Sequence, residues 1–198
     1  MSHSTSFSRL TYITAALLTL GITTPVHADG DAFFAKLEQY CGKAFAGVVS
    51  ADRPQSGVFS NRALVMHVRE CSANEIRVPF HVGDDRSRTW VFTKTDTGLR
   101  LKHDHRHEDG SEDALTQYGG DADPARSLAS FQAFPADKYS KNMFDAQGIP
   151  VSKGNVWEVS LDDGVFKYRL IRPSREVSVD FNLNEPVDLP PAPWGAEN

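Results

Sequence analysis

From residue 63 onward, apolar and polar positions alternate along most of the chain, a period that sends successive side chains to opposite faces of a strand. The alternation runs through ALVMHVREC (63–71), EIRVPFHV (75–82), RTWVFTKT (88–95), GLRLKHDHRH (98–107), NVWEVSL (155–161), GVFKYRLI (164–171) and EVSVDFNL (176–183). AFAGVVS (44–50), EDALTQY (112–118) and RSLASFQAF (126–134) carry it more weakly. The turn-forming stretches SAN, GDDRS, DTG, EDGS, DDG and RPSR separate these runs. Strands that follow one another through tight turns make an antiparallel meander, which closes into a barrel or folds into a sandwich. The pattern predicts an all-β fold, a single antiparallel up-and-down β-barrel of about 8–10 strands.

Two stretches depart from period two. DAFFAKLEQYCGK places Phe33, Phe34, Leu37 and Tyr40 on one helical face, with Gly42 positioned to end a short N-terminal helix. PADKYSKNMFDAQG (135–148) reads as a helical crossover capped near Asp137 and stopped by Gly148. It either covers a barrel mouth or crosses the surface, and a surface crossing is the expectation. The tail NEPVDLPPAPWGAEN carries four prolines, which excludes a central strand and leaves Trp194 as its one large anchor.

The N-terminus changes the compartment. Arg9 is the only charge ahead of an apolar run from Tyr12 to about Ile22, and Val26-His27-Ala28 offers small residues where a signal peptidase cuts. Residues 1–28 are therefore read as a cleaved signal peptide, 29–183 as the barrel domain and 184–198 as a Pro-rich C-terminal tail. The apolar run is shorter than the roughly 20 residues a membrane span needs, so no span is expected after cleavage. Removing Arg9 with the signal moves the formal net charge from -5 to -6. An acidic chain without a basic run argues against nucleic acid or an anionic membrane surface as a partner. Cys41 and Cys71, an even pair in an exported chain, are expected to form a disulfide, with periplasm or exterior as the location.

A resemblance narrows the barrel. Leu37, Tyr40, Gly42, Phe45 and Gly47 in LEQYCGKAFAG lead from helix into strand in a way that is similar to the start of the calycin group, the lipocalins, fatty-acid-binding proteins and relatives. Where those families carry Gly-x-Trp, this chain has Gly42-Lys43-Ala44-Phe45. The resemblance implies a lipocalin-like barrel with a central cavity for a small molecule.

Chemistry concentrates in LKHDHRHEDGSED (101–113). Of the five histidines after residue 28, three fall within five residues. Period two puts His103, His105 and His107 on the face of Leu99 and Leu101, so the imidazoles continue a core-facing row. If Asp109-Gly110 is a two-residue hairpin turn, His107 lies opposite Glu112, His105 opposite Ala114, His103 opposite Thr116 and Leu101 opposite Tyr118. His103, His105, His107, Glu112, Thr116 and Tyr118 then form one candidate ligand-binding face.

Three readings compete for that face: a polar pocket wall, a solvated strand end, and a divalent-metal site built by His103, His105 and Glu112. The spacing of His105, His107, Glu112 and Gly119 resembles the first motif of the cupin family, whose two histidines and glutamate hold a metal. Gly98 lies one residue too far upstream for that motif, and no histidine follows His107. His67 and His81 alternate against Met66 and Phe80 and are expected to be exposed. Asp84, Asp85, Arg86 and Arg88 crowd one connection; they either pair among themselves or turn arginine forks toward an anionic ligand. No G-x-S-x-G, H-E-x-x-H or phosphate loop occurs.

The sequence thus points to an exported small-molecule binding protein with a histidine-lined barrel cavity and no identified catalytic residue. The alternatives are a metal-dependent, cupin-like enzyme using the 103–112 hairpin and an extracytoplasmic interaction module without a cavity.

Overall fold

The computed structural model describes Met1 and residues 27–196. The apolar run and most of the expected signal peptide lie outside the described residues. Helix α1 (His27–Glu38) leads into strands β1 (Ala44–Arg53), β2 (Leu64–His67), β3 (Glu70–Cys71), β4 (Glu75–Val82), β5 (Asp85–Thr95), β6 (Gly98–His105), β7 (Tyr118–Asp121) and β8 (Phe131–Pro135). Helix α2 (Lys138–Ala146) and a 3-10 turn (Pro150–Gly154) follow, then β9 (Val156–Asp162), β10 (Val165–Arg172) and β11 (Arg175–Val187). Among the described residues no helix is long and apolar enough to cross a membrane.

All strands belong to one antiparallel sheet, ordered β7-β6-β5-β4-β2-β1-β11-β10-β9-β8, with β3 beside β4. Each strand of that path lies next to its neighbour along the chain, and the first pairs with the last. This is the expected up-and-down meander, closed except at the β7–β8 seam. Across the seam, Asp137 N donates to Gly119 O and Asp123 N to Ala133 O, both at 2.8 Å. Backbone must approach closely for that to happen: a Cβ on Gly120 would sit 2.0 Å from Pro135 O, so only glycine permits the contact. Helix α2 covers the seam, and its Ser140 hydroxyl lies 2.8 Å from Gly119 N and 3.0 Å from Gly119 O.

One end of the barrel is plugged by α1. Phe33, Phe34 and Leu37 are buried there, and Phe33 meets Phe92 with ring centroids 6.2 Å apart. Burial of three such side chains contributes roughly 1.5–3 kcal/mol each. The helix starts earlier than its apolar face suggested and ends at Glu38; the chain then turns through Gly42, whose φ of +78° suits a residue without Cβ. The Cys41–Cys71 disulfide ties this turn to β3 across 30 residues, as the paired cysteines predict.

Several local expectations are corrected. The run at 63–71 divides into β2 and β3; the weak run at 112–118 is mostly loop, with β7 starting at its last residue, and that at 126–134 forms a strand only from Phe131, as β8. Strand β11 continues beyond residue 183 to Val187, so the strand overlaps the tail expected from 184. Pro186 is tolerated because β11 pairs with β10 only as far as Asn182, leaving its last part bonded on one side, to β1. The remaining tail packs on the outer wall, where Trp194 N donates to Arg86 O at 3.1 Å. His67 and His81 are buried rather than exposed, and burial holds both imidazoles below their ordinary pKa, that of His81 at about 4.

Candidate functional site

The inward-facing row of each strand changes character along the barrel. On β5 it reads Phe92, Trp90, Arg88; on β6 Leu101, His103, His105; on β10 Phe166, Tyr168, Leu170, Arg172. Into β9 it reads Leu161, Val159, Trp157, Asn155, and on β11 Phe181, Val179, Val177, Arg175. Antiparallel register puts the polar members at the same end: Arg88 pairs with His105 and Trp90 with His103, while Arg172 pairs with Arg175. The end nearer α1 is filled by apolar side chains. The other end holds a cavity of about 460 Å³ with a polar rim, inside the roughly 300–1,000 Å³ range of small-molecule sites.

Aromatic rings form the inner wall. Trp90 stacks on Tyr168 at 4.4 Å and Trp157 on Tyr118 at 5.4 Å. His103 stacks on Tyr118 at 4.5 Å and tilts against Trp157 at 5.0 Å. Phe144 of α2 meets Tyr118 at 5.7 Å, so the crossover helix contributes to the cavity instead of merely crossing the surface. The 3-10 turn and its flanks add Ile149, Ser152 and Asn155 to the lining.

Hydrogen bonding assigns the imidazole states. Tyr118 O can only accept, so the His103 Nδ1 at 3.1 Å carries the proton; Nε2 then accepts from the Tyr168 hydroxyl at 2.8 Å. Complete burial drives the His103 pKa down to about 3, with neighbouring His105 and Lys102 acting in the same direction. The ring is neutral at pH 7. His105 Nε2 lies 3.0 Å from the Tyr118 hydroxyl. Burial, then the charge of Arg88, lowers its pKa to about 4. Burial pushes the Tyr118 and Tyr168 phenols upward, so both remain protonated donors.

Of the residues chosen from sequence, His103, His105 and Tyr118 line the cavity together. The other three do not. His107 and Glu112 are exposed, and Glu112 pairs with Arg106 at 3.4 Å. Thr116 is buried, but its hydroxyl accepts from His105 N at 2.9 Å and thereby fastens the loop to β6.

The cause is register. Gly110 N donates to His107 O and His107 N donates to Ser111 O, and Arg106, not His107, bridges to Glu112. Three further residues are then taken up between Asp113 and Gln117, so Tyr118 lies opposite His103 rather than Leu101. Gln117 enters β7 at φ +57°. This irregular loop turns Asp113 and Leu115 toward the cavity, which alternation does not foresee.

The metal triad His103, His105 and Glu112 is therefore not assembled. Both nitrogens of His103 engage protein groups, and Glu112 lies outside the cavity. Among the described residues no group of three or more His, Cys, Asp or Glu side chains is placed to hold a metal ion.

Three arginines reach the rim. Arg88 Nη1 pairs with Asp85 Oδ2 at 2.6 Å, so the charged connection at 83–88 both pairs internally and faces the cavity. Arg175 Nη1 pairs with Asp52 Oδ1 at 2.5 Å, and its Nη2 donates to Ser56 Oγ at 2.7 Å. Arg172 Nη1 donates to Asn155 Oδ1 at 3.0 Å. The RPSR stretch read simply as a turn; its arginines close the last two inward rows, a signal available only once the direction of the rows is known. Comparison with known protein families, curated proteins and solved structures finds no match to this chain.

Proposed function

We propose that this chain is an exported small-molecule binding protein whose ligand occupies the cavity lined by His103, His105 and Tyr118. The observation that carries this reading is the common change from apolar to polar along five inward rows toward one end of the barrel. A barrel acting only as a scaffold would pack this end with apolar side chains at the density of the other end, as protein interiors do. The Cys41–Cys71 disulfide and the charge-poor apolar N-terminal run support export. His103 is held as a fixed neutral part of the wall, while His105 and Tyr118 offer a polar contact beside it.

Native mass spectrometry of protein purified from its own cell envelope tests the reading. The expected result is a retained small-molecule mass that disappears in Leu170→Trp, where a larger ring enters the cavity. Wild-type protein carrying no such mass, and taking up none from its envelope extract, overturns it.

A further inference from the structure

We infer that the ligand is an organic monoanion, a carboxylate on a flat aromatic or conjugated body, with its carboxylate at Arg172. This rests on the cavity being the binding site. Among the residues lining it, three are cationic arginines and one, Asp113, is an acid. Asp85 and Asp52, just outside, offset Arg88 and Arg175. Arg172 is different: its hydrogen bond goes to the neutral amide oxygen of Asn155, and its buried Nε has no partner among the described residues.

A buried donor without an acceptor is unfavourable, and an incoming acceptor relieves it. Burial and the nearby Arg175 also disfavour the charge on Arg172, lowering its pKa. A planar carboxylate supplies two acceptors in the geometry of a guanidinium fork and one compensating charge. One uncompensated guanidinium matches a monoanion better than a phosphate of about two charges, particularly with Asp113 across the rim.

The body of the ligand follows from the wall. Tyr168 lies four residues before Arg172 on β10, a separation of about 13 Å at about 3.3 Å per residue. A carboxylate at Arg172 therefore leaves the ligand body to lie deeper, first against Trp157, which is opposite Leu170, and then against Tyr168 and Trp90. Flat aromatic faces favour a flat partner, through offset or edge contacts. The His105–Tyr118 pair offers a polar contact between the two ends.

The test is calorimetric titration at pH 7 with 2-naphthylacetate and its uncharged amide, 2-naphthylacetamide, on the wild type, Arg172→Gln and Arg172→Lys. The acid is expected to bind at least tenfold more tightly than the amide. R172Q should bring the acid to the affinity of the amide and leave the amide within twofold, and R172K should fall between. Equal wild-type affinities for acid and amide overturn the anion while leaving a cavity that binds. An acid preference undiminished in R172Q, or in R172K should R172Q fail to fold by circular dichroism, places the anion elsewhere and also overturns the proposal. If neither probe binds, the ligand class is wrong, and the retained mass from envelope-purified protein judges the cavity separately.

Discussion

Tyr168 donates its hydroxyl proton to His103 Nε2 at 2.8 Å across 65 residues of chain, joining β10 to β6 through the barrel interior. Both residues are buried, and the opposite nitrogen of the imidazole is held by Tyr118 O. The bond therefore does more than fill space: it fixes the tautomer and angle of the ring against which Tyr118 stacks.

Removing that hydroxyl should leave a buried acceptor without a donor. Tyr168→Phe is expected to lower stability by about 1–3 kcal/mol, because the ring volume is kept while the desolvated nitrogen loses its partner. Urea unfolding followed by fluorescence measures this directly. A double-mutant cycle with His103→Gln should show coupling of at least about 0.5 kcal/mol; additive losses would mean that the two groups do not support each other.

Much of this architecture is legible in alternation. The runs at 75–82, 88–95 and 98–107 become β4, β5 and β6, and those at 155–161, 164–171 and 176–183 become β9, β10 and β11, because each has an apolar face to bury and a turn to reverse it. The placement of His103 and His105 on the inner face follows from Leu99 and Leu101 by the same rule. Where the rule fails, backbone irregularity is the cause. The turn shifts the register by one residue, so that Glu112 faces Arg106 rather than His107, and the loop between Asp113 and Gln117 then absorbs extra residues, so counting in twos from Asp109-Gly110 also misplaces Thr116. Arg172 and Arg175 were legible only as turn residues, since period two gives a face but not which end of the barrel that face reaches.

The corrected placement of Glu112 has a direct consequence. Its ion pair with Arg106 is solvent-exposed, and exposed pairs contribute about 0–1 kcal/mol. Glu112→Gln should shift the unfolding free energy by less than about 1 kcal/mol and leave any cavity ligand in place. Loss of the retained ligand in this variant, with the fold intact, would contradict the outward position assigned to it.

Closure of the seam depends on a missing side chain. In Gly120→Ala the added Cβ would meet Pro135 O at 2.0 Å, so β7 and β8 must separate. The expected loss is about 1–3 kcal/mol, the usual cost of forcing atoms into filled space. Amide hydrogen exchange should locate the damage at Asp123 and Asp137, whose N–H groups cross the seam. Unchanged protection at both positions would show that the seam accommodates the methyl group.

The disulfide should matter through the unfolded chain. A cross-link spanning 30 residues removes loop entropy worth roughly 3–4 kcal/mol. The Cys41→Ser, Cys71→Ser double variant should lose about that much in urea unfolding, while the cavity residues, which lie on other strands, keep their arrangement. A loss below about 1 kcal/mol would imply that α1 docks firmly enough to restrict the reduced chain by itself.

Buried neutral histidine also sets an acid limit. In the unfolded chain an imidazole titrates near pH 6.5, whereas in the folded barrel His103 resists protonation down to about 3 and His81 and His105 to about 4. Because the folded pKa values are the lower ones, the unfolded state binds more protons throughout the window between them. Stability is thus fully present above pH 6.5 and is lost as the pH falls through the window toward the folded values. For one fully buried imidazole the loss between pH 7 and pH 5 is about 2 kcal/mol, from about 1.36 kcal/mol per unit. Urea titrations at the two pH values should show a drop at least that large in the wild type. His103→Gln, which cannot titrate, should reduce the drop by about 2 kcal/mol even if its stability at pH 7 is lower. An unaltered pH dependence in that variant would mean that His103 already carries its proton in the folded barrel, and that the Tyr168 hydroxyl does not donate to Nε2.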